Sequence, residues 1–231
     1  KGLEDKQGWE KAGVSLPSYD VKNLAEKTKK SPIWVHFGIG NIFRLFIGGI
    51  ADKLISENNL DKGITCVEAF DYDVVDKIYK PFDNLALTVT LHADGKQDKK
   101  IVGSLTEAIK VPGELSRLKE IFKNPGLQII SFTITEKGYA LRDSSGNYLN
   151  FVKSDIENGP EKPTGAMAIV TSMLLERFKA GKLPLALLSM DNVSENGKKL
   201  RNSVIEMAQQ WYEKKHVTKD FIEYINNEKI I

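Results

Sequence analysis

The segment IWVHFGIGNIFR, Ile33 to Arg44, decides the fold of this chain. Ile33 to Phe37 is a short apolar and aromatic run, which is typical of a parallel strand that is buried on both faces. Gly38 and Gly40 end the run, and the residues from Asn41 onward have the pattern of a helix. We therefore expect a strand, a tight glycine turn and a helix in immediate succession.

A glycine turn of this kind can bind the phosphates of a dinucleotide, although a plain strand-to-helix turn has the same pattern. Glycines let the main chain approach a bound group, and the start of the helix presents unpaired N–H donors and the positive end of its dipole. Phe43 takes the place of the third glycine in G-x-G-x-x-G, so the helix must contact the strand differently there. Arg44 could reach a phosphate or a carboxylate, or form a surface ion pair. The cofactor-binding residues predicted here are Gly38, Gly40, Asn41, Ile42, Phe43 and Arg44.

The helix after the turn carries apolar residues at helical spacing. We expect the face that they form to pack on the sheet. Its members are Ile42, Leu45, Phe46, Gly49, Ile50 and Leu54.

An acidic residue, Glu68, stands at the end of the second predicted strand, residues 64–67. In nicotinamide-binding folds a carboxylate at this position accepts hydrogen bonds from the adenosine ribose and repels a 2′-phosphate. Glu68 therefore favours NAD over NADP. Asp71 and Asp73 follow closely and are expected to cap the next helix, although Asp71 could share the ribose role.

The remaining chain alternates strand and helix patterns. We predict a Rossmann-type α/β fold, a doubly wound and mostly parallel sheet, with a β-hairpin insertion around Asp94-Gly95. Residues 1–30 are expected to form an N-terminal arm, and residues 31–231 the dinucleotide-binding domain. Beyond the first two, the predicted strands are 85–91, 100–105, 127–135 and 183–190, and the other helices are 21–29, 115–122, 165–179, 195–215 and 219–227.

Composition excludes several classes of function. The 33 Lys and Arg residues nearly balance 31 Asp and Glu residues and are scattered, so nucleic acid is not an expected partner. No apolar run reaches the roughly 18 to 20 residues of a membrane span, so we expect no membrane partner and a cytoplasmic protein. Cys66 lies in an apolar run and is expected to be a buried thiol, and His36 a core histidine. Three unclustered histidines predict no metal site.

Three segments, in their order along the chain, resemble the N-terminal domain of the mannitol dehydrogenase family. They are GIGNIFRLF at Gly38 to Phe46, TITEKGY at Thr133 to Tyr139, and LLSMDNVSENGKKLR at Leu187 to Arg201. The acidic end of the second strand fits the same family. Within it the chain is most similar to the hexuronate reductases, whose pattern is G-N-F-L-R-x-F, whereas mannitol 2-dehydrogenases have a histidine at the position of Phe43.

The resemblance implies metal-independent hydride transfer between NAD and a sugar acid or polyol, here the reduction of a keto-hexuronate (fructuronate to mannonate). It implies that Asn192 is catalytic, that Thr135 and Glu136 contact the cofactor, and that Lys137 and Arg44 contact the substrate. The catalytic lysine is expected in the protein's own helical C-terminal domain, because these residues contain no K-x4-N-x2-H pattern. This chain alone is therefore expected to bind cofactor without turnover.

Two other functions fit the same residues. One is a neutral polyol dehydrogenase of the mannitol 2-dehydrogenase type, and the other is a nucleotide-binding module without a catalytic half. Judged without the resemblance, Asn192 is typical of a turn or a helix cap, and Lys137 of a solvated surface lysine.

Overall fold

The computed structural model of the chain describes residues 2–111 and 113–231. The chain divides into two compact units, Lys1–Ile109 and Lys110–Ile231. Each unit has its own set of buried apolar side chains. Lys1, the first residue of the predicted N-terminal arm, lies outside the described residues.

The first unit combines helices with strands of two sheets. In one sheet β2 pairs with β3 in parallel, and β6 lies on the other side of β3. In the other sheet β5 lies between β1 and β4, and β4 and β5 form the predicted antiparallel hairpin. The elements are α1 (Lys6–Lys11), β1 (Val14–Ser15), α2 (Val21–Lys30), β2 (Trp34–Phe37), α3 (Gly48–Ser56), β3 (Ile64–Glu68), α4 (Tyr72–Val74), β4 (Ala86–Leu91), β5 (Gln97–Val102) and β6 (Leu105–Lys110).

The return of the hairpin differs from the prediction. A single strand was expected over residues 100–105, but the chain forms β5 and β6 with a bend at Gly103 and Ser104. The Gly103 N–H donates to the Asp52 carboxylate (2.9 Å), and the Ser104 hydroxyl donates to the Gly48 carbonyl (2.7 Å). Because both residues bond to α3, the chain leaves the hairpin sheet there and continues beside β3.

Buried Asp52 on α3 joins three distant segments of this unit. Besides Gly103, its carboxylate accepts a hydrogen bond from the Tyr19 hydroxyl and pairs with the Lys100 ammonium group (2.6 Å). The side chain of Asp52 is only 1% exposed. A buried carboxylate is stable only when it is paired and hydrogen-bonded in this way. Asp52 therefore ties the segment around Tyr19 and the hairpin to α3.

The helix after the glycine turn packs on the face opposite to the predicted one. Ile42 and Phe46 are 72% and 66% exposed, and Leu45 and Ile50 are exposed as well, so that prediction is wrong. After its first residues, Asn41 and Ile42, the helix contains a wider π-helical turn, Phe43–Ile47, which has more than 3.6 residues per turn. This turn shifts the periodicity and buries residues four apart. They are Phe43, Ile47, Ala51 and Ile55.

The second unit contains two neighbouring parallel strands and helices packed around a central one. The strands β7 and β8 pair in parallel from Ile129–Ala186 to Phe132–Ser189. The elements are α5 (Leu115–Lys123), β7 (Ile129–Phe132), α6 (Thr135–Tyr139), α7 (Asn150–Asn158), α8 (Ala166–Lys179), β8 (Ala186–Ser189), α9 (Asn196–Glu213) and α10 (Lys219–Asn226).

The central helix α8 is buried on all sides from Ala166 to Arg177, rather than being exposed on one face. The guanidinium of Arg177 is buried and donates to main-chain carbonyls near the starts of β7 and β8. Its acceptors are Phe122, Asn124, Leu127 and Pro184. Five donors in a fixed planar arrangement suit this role, which a lysine cannot fill. None of the helices in the described ranges is both long and apolar enough to cross a membrane.

Candidate functional site

The glycine turn of the first unit leaves open space beside Gly40. Gly38 has a φ of 87°, which favours glycine, and its N–H donates to the Val67 carbonyl (3.1 Å). The Gly40 carbonyl accepts the Arg44 N–H (3.0 Å), which makes Gly40 the N-cap of the helix. A Cβ built on Gly40 meets no described atom within 4 Å, and Gly40 does not have a positive φ. The fold of the described residues therefore does not itself require glycine at this position.

Phe43, which replaces the third glycine, packs on the strand through an aromatic contact. Its ring stacks on the imidazole of His36 in β2, with 3.9 Å between centroids and 6° between planes. Both side chains are fully buried. The expectation of a differently shaped contact between helix and strand is confirmed, as is the interpretation of His36 as a core histidine.

Burial lowers the pKa of His36 to about 3, while a hydrogen bond with the Gly38 backbone acts in the opposite direction. The unfolded chain, with an ordinary histidine pKa near 6.5, therefore binds the proton first, and stability is lost as the pH falls from about 6.5 towards 3. We expect the free energy of unfolding to fall by up to about 1.4 kcal/mol per pH unit in this window because of His36.

Urea unfolding between pH 7.5 and 5 measures this dependence, and His36→Phe should flatten it. His92→Gln is the matched control, because His92 is exposed and pairs with Asp98 at the surface. The interpretation fails if wild type and His36→Phe have the same slope.

Glu68 lies at the end of β3 as predicted, and it is only 7% exposed. Its Oε1 accepts the N–H groups of Ala69 and Phe70 (both 3.0 Å) and of Asp71 (3.4 Å). Its Oε2 accepts the Ile39 N–H of the glycine turn (3.3 Å). Oε2 retains capacity for a further hydrogen bond, because a carboxylate oxygen has two lone pairs. The Asp71 side chain is exposed, and although Asp71 is the N-cap of α4, its carboxylate does not cap that helix.

Arg44 is half-buried and pairs with no carboxylate among the described residues. Its guanidinium donates to the Asn41 side chain and lies 6.0 Å from the centroid of the Tyr79 ring. Asn41 and Ile42 are exposed at the start of the same helix. A fixed guanidinium beside a helix N-terminus is suited to bind an anion. Arg44 therefore does not form the alternative, a surface ion pair, with any described residue.

In the second unit the carboxylate of Asp191 organises the ends of β7 and β8. It accepts the N–H groups of Ile134 and Thr135 (both 3.1 Å) and the hydroxyl of Tyr139. Thr135 has a φ of 65°, a conformation that a β-branched residue rarely adopts. Burial is the main cause that raises the pKa of Tyr139 well above its usual range, and the hydrogen bond to Asp191 raises this pKa further. Asp191 thus stabilises a strained turn that carries the predicted cofactor residues.

Asn192 is exposed at the centre of a three-residue turn closed by the Val193 N–H and the Asp191 carbonyl (2.9 Å). The side chain of Asn196 donates to the same carbonyl (2.8 Å) and so fixes this turn. The N-cap of α9 is Glu195, so Asn192 is not its cap. The amide of Asn192 makes no hydrogen bond with any residue that the structure describes. It is available to a ligand.

The two other predicted residues of this segment lie at the surface. Glu136 is exposed and forms an ion pair with Lys199. Lys137 is exposed and has no carboxylate partner within the described part of the chain.

Cys66 is fully buried, and burial raises the pKa of its thiol, as expected for a structural cysteine. The described Asp, Glu, His and Cys side chains form no group that could hold a metal ion.

Sequence analysis did not identify two residues that organise these segments, Tyr79 and Asp191. The Tyr79 hydroxyl donates to the Ile39 carbonyl (2.9 Å), and the Asp191 carboxylate accepts the Ile134 N–H (3.1 Å). Each bonds to a segment 40 or more positions away along the chain. No local pattern marks such a partner.

Comparisons with known proteins agree with the fold of the described residues. A family model described as the mannitol dehydrogenase Rossmann domain matches residues 32–229. The D-mannonate oxidoreductase of Thermotoga maritima is 47% identical over 231 residues, a match that covers 98% of this chain and 42% of that protein. The chain spans about two fifths of the length of the curated relatives it matches.

Two solved structures share the fold. A D-sorbitol dehydrogenase in substrate-free form is 26% identical with a TM-score of 0.77, covering 93% of this chain and 43% of that one. The mannitol 2-dehydrogenase of Pseudomonas fluorescens, in a ternary complex with NAD and D-mannitol, is 22% identical with a TM-score of 0.79, covering 95% of this chain and 44% of that one. The predicted Rossmann-type fold is confirmed.

Proposed function

This chain belongs to the mannitol dehydrogenase family, and from that premise we propose that it is the cofactor-binding part of an NAD-dependent reductase of keto-hexuronates. The reaction we propose is the reduction of fructuronate to mannonate. The observation that carries the cofactor assignment is the open space at Gly40, where neither packing nor backbone conformation explains a glycine. The substrate assignment is supported by the 47% identity with a D-mannonate oxidoreductase.

The residues of the first unit fit a dinucleotide. The N–H groups from Gly40 to Phe43 and the guanidinium of Arg44 would hold the pyrophosphate, because a helix N-terminus and an unpaired cation both favour an anion. Glu68 would accept a ribose hydroxyl at Oε2, and its charge would repel the 2′-phosphate of NADP. These features support NAD over NADP.

In the second unit we assign Asn192 to the reacting oxygen of the substrate. NADH, when bound, would supply the hydride that the carbonyl carbon of the substrate accepts. The Asn192 amide donates a hydrogen bond to the substrate oxygen as negative charge develops there, which lowers the barrier. The proton that this oxygen takes up comes from a lysine that the family resemblance assigns to a part of the protein outside these residues. Thr135 and Glu136, on the turn that Asp191 stabilises, remain the candidates for further cofactor contacts.

The substrate of a uronate reductase carries a carboxylate and therefore requires a cation. Arg44 and Lys137 are the candidates, and neither has a described carboxylate partner. A guanidinium binds a carboxylate with two parallel hydrogen bonds, which gives direction as well as charge. A neutral polyol does not need such a group, so an unpaired cation supports the keto-acid over the polyol.

Replacing Glu68 with alanine tests the choice of cofactor. We expect weaker NADH binding, weaker discrimination against NADPH, and a loss of roughly 2–4 kcal/mol in unfolding free energy, because four N–H groups lose their acceptor. Calorimetric titration with NADH and NADPH gives the ratio of the two dissociation constants.

Glu176→Ala is the matched control for that variant, because Glu176 is equally buried but pairs with Lys123 in the second unit. It should lose stability with an unchanged ratio of the two constants. An unchanged ratio in Glu68→Ala as well would remove Glu68 from the ribose site.

The proposed reaction is tested by its product. The full-length protein, incubated with fructuronate and NADH, should form one mannonate for each NADH oxidised. Oxidation of NADH without formation of mannonate would refute the proposed substrate.

A further inference from the structure

Ile39, at the centre of the glycine turn, is hydrogen-bonded through both its main-chain N–H and its carbonyl. The Ile39 N–H donates to Glu68 Oε2 (3.3 Å), and the Ile39 carbonyl accepts the Tyr79 hydroxyl (2.9 Å). Ile39 itself is fully buried. These two bonds fix the orientation of the chain between Gly38 and Gly40, and hence the direction of the N–H groups that follow.

Tyr79 is built rigidly into this position. It ends the π-helical turn Val75–Tyr79 and is only 1% exposed. Burial raises the pKa of its hydroxyl far above the usual range, so the hydroxyl stays protonated and can donate. A π-helical turn is rare and occurs frequently at functional sites. The tyrosine hydroxyl is thus a fixed donor aimed at the glycine turn.

The ring of Tyr79 has a second contact. The Arg44 guanidinium carbon lies 6.0 Å from the centroid of the ring, within the range of a cation–π interaction. The hydroxyl therefore orients the turn, while the ring supports the cation that follows it on the helix. Both groups belong to the cradle to which we assign the pyrophosphate.

We propose that Tyr79 is a positioning residue of the cofactor site: its hydroxyl holds the Ile39 peptide so that the helix N-terminus and Arg44 face the pyrophosphate. This inference rests on the proposed function, because it needs a dinucleotide at the glycine turn. It goes further by assigning a role to a residue outside the glycine motif and 40 positions away from it.

The second unit offers a matched control, Tyr224. It is a buried tyrosine, 3% exposed, whose hydroxyl also donates to a main-chain carbonyl, that of Leu183 (2.7 Å). Tyr79→Phe and Tyr224→Phe each remove one hydroxyl and one hydrogen bond to a carbonyl. A general loss of stability would affect both variants alike, whereas a positioning role predicts weaker cofactor binding only for Tyr79→Phe.

The experiment measures the dissociation constants of NADH and adenosine, and the guanidinium unfolding midpoint, for full-length wild type and both variants. We expect Tyr79→Phe to bind NADH roughly three- to tenfold more weakly, the effect of one neutral hydrogen bond. Its affinity for adenosine, which has no phosphate, should stay within twofold of wild type. Tyr224→Phe should bind NADH within twofold of wild type, with a similar decrease of the unfolding midpoint.

The outcomes separate this inference from the function on which it rests. If wild type does not bind NADH, both fall. If wild type binds NADH and Tyr79→Phe binds it equally well, the positioning role is overturned and the proposed function stands. Equal weakening in Tyr224→Phe, or a parallel loss of adenosine affinity in Tyr79→Phe, would also overturn it, because the effect would then not be specific to the phosphates.

Discussion

Replacing Gly40 with valine is expected to weaken NADH binding roughly 100-fold while the fold stays intact. A Cβ at Gly40 enters space that contains no described atom within 4 Å, so we expect the variant to fold without a clash with the described residues. The added side chain occupies the space through which the pyrophosphate would approach the main chain. Hydrogen bonds to a charged group contribute about 1.5–3 kcal/mol each, so losing one or two gives a change of this size.

Gly49→Val is the matched control for this prediction. Gly49 lies on the same helix, and a Cβ there also meets no described atom within 4 Å. Titration with NADH and urea unfolding should show unchanged NADH affinity for Gly49→Val, and a stability change of no more than about 1 kcal/mol for both variants. Wild-type NADH affinity in Gly40→Val would contradict a phosphate site at this turn.

Replacing Asn192 with alanine should reduce turnover by roughly 10²- to 10³-fold, as is typical when one donor to a developing oxyanion is removed. The affinity for NADH should change little, because the Asn192 side chain bonds to no residue within the described ranges and supports no other part of the site. Steady-state rates and NADH titration of the full-length protein separate the two effects.

Asn202→Ala controls for the loss of an exposed amide in the same unit. Asn202 lies on the exposed surface of α9, outside the turn that carries Asn192. It should retain wild-type turnover. Turnover near that of wild type in Asn192→Ala would exclude the amide as the donor to the substrate oxygen.

The strand, the glycine turn and the acidic end of β3 could be predicted because each is encoded locally. Glycines next to a buried strand, and a glutamate at the end of the next strand, leave few other conformations. The hairpin and the parallel strands follow from equally local patterns of apolar and turn residues. The same segments carry the family resemblance, which the matches to known proteins confirm.

The packing of the helix after the glycine turn could not be predicted, because apolar residues lie on nearly every side of this helix. Apolar residues stand at Ile42 and Phe46 as well as at Phe43 and Ile47, so periodicity cannot select the buried side. The π-helical turn determines which side of the helix is buried, and no residue type predicts such a turn. A prediction from hydropathy alone therefore gave the wrong buried face for this helix.

Contacts between residues that are distant in sequence could not be predicted from local sequence patterns either. The carboxylate of Asp191 reaches Thr135, which is 56 positions away, and its role follows only from their proximity in the fold. The strain at Thr135 is likewise a property of the folded backbone. Local sequence patterns therefore indicate candidate ligand contacts more readily than the residues that hold those candidates in place.

The most direct test of this account is the initial rate of NADH oxidation by the full-length protein with fructuronate, tagaturonate and fructose, repeated with NADPH. We expect turnover with fructuronate and NADH, much slower turnover with NADPH, and none with fructose. Turnover with fructose and none with either keto-uronate would contradict it and assign the protein to the polyol dehydrogenases.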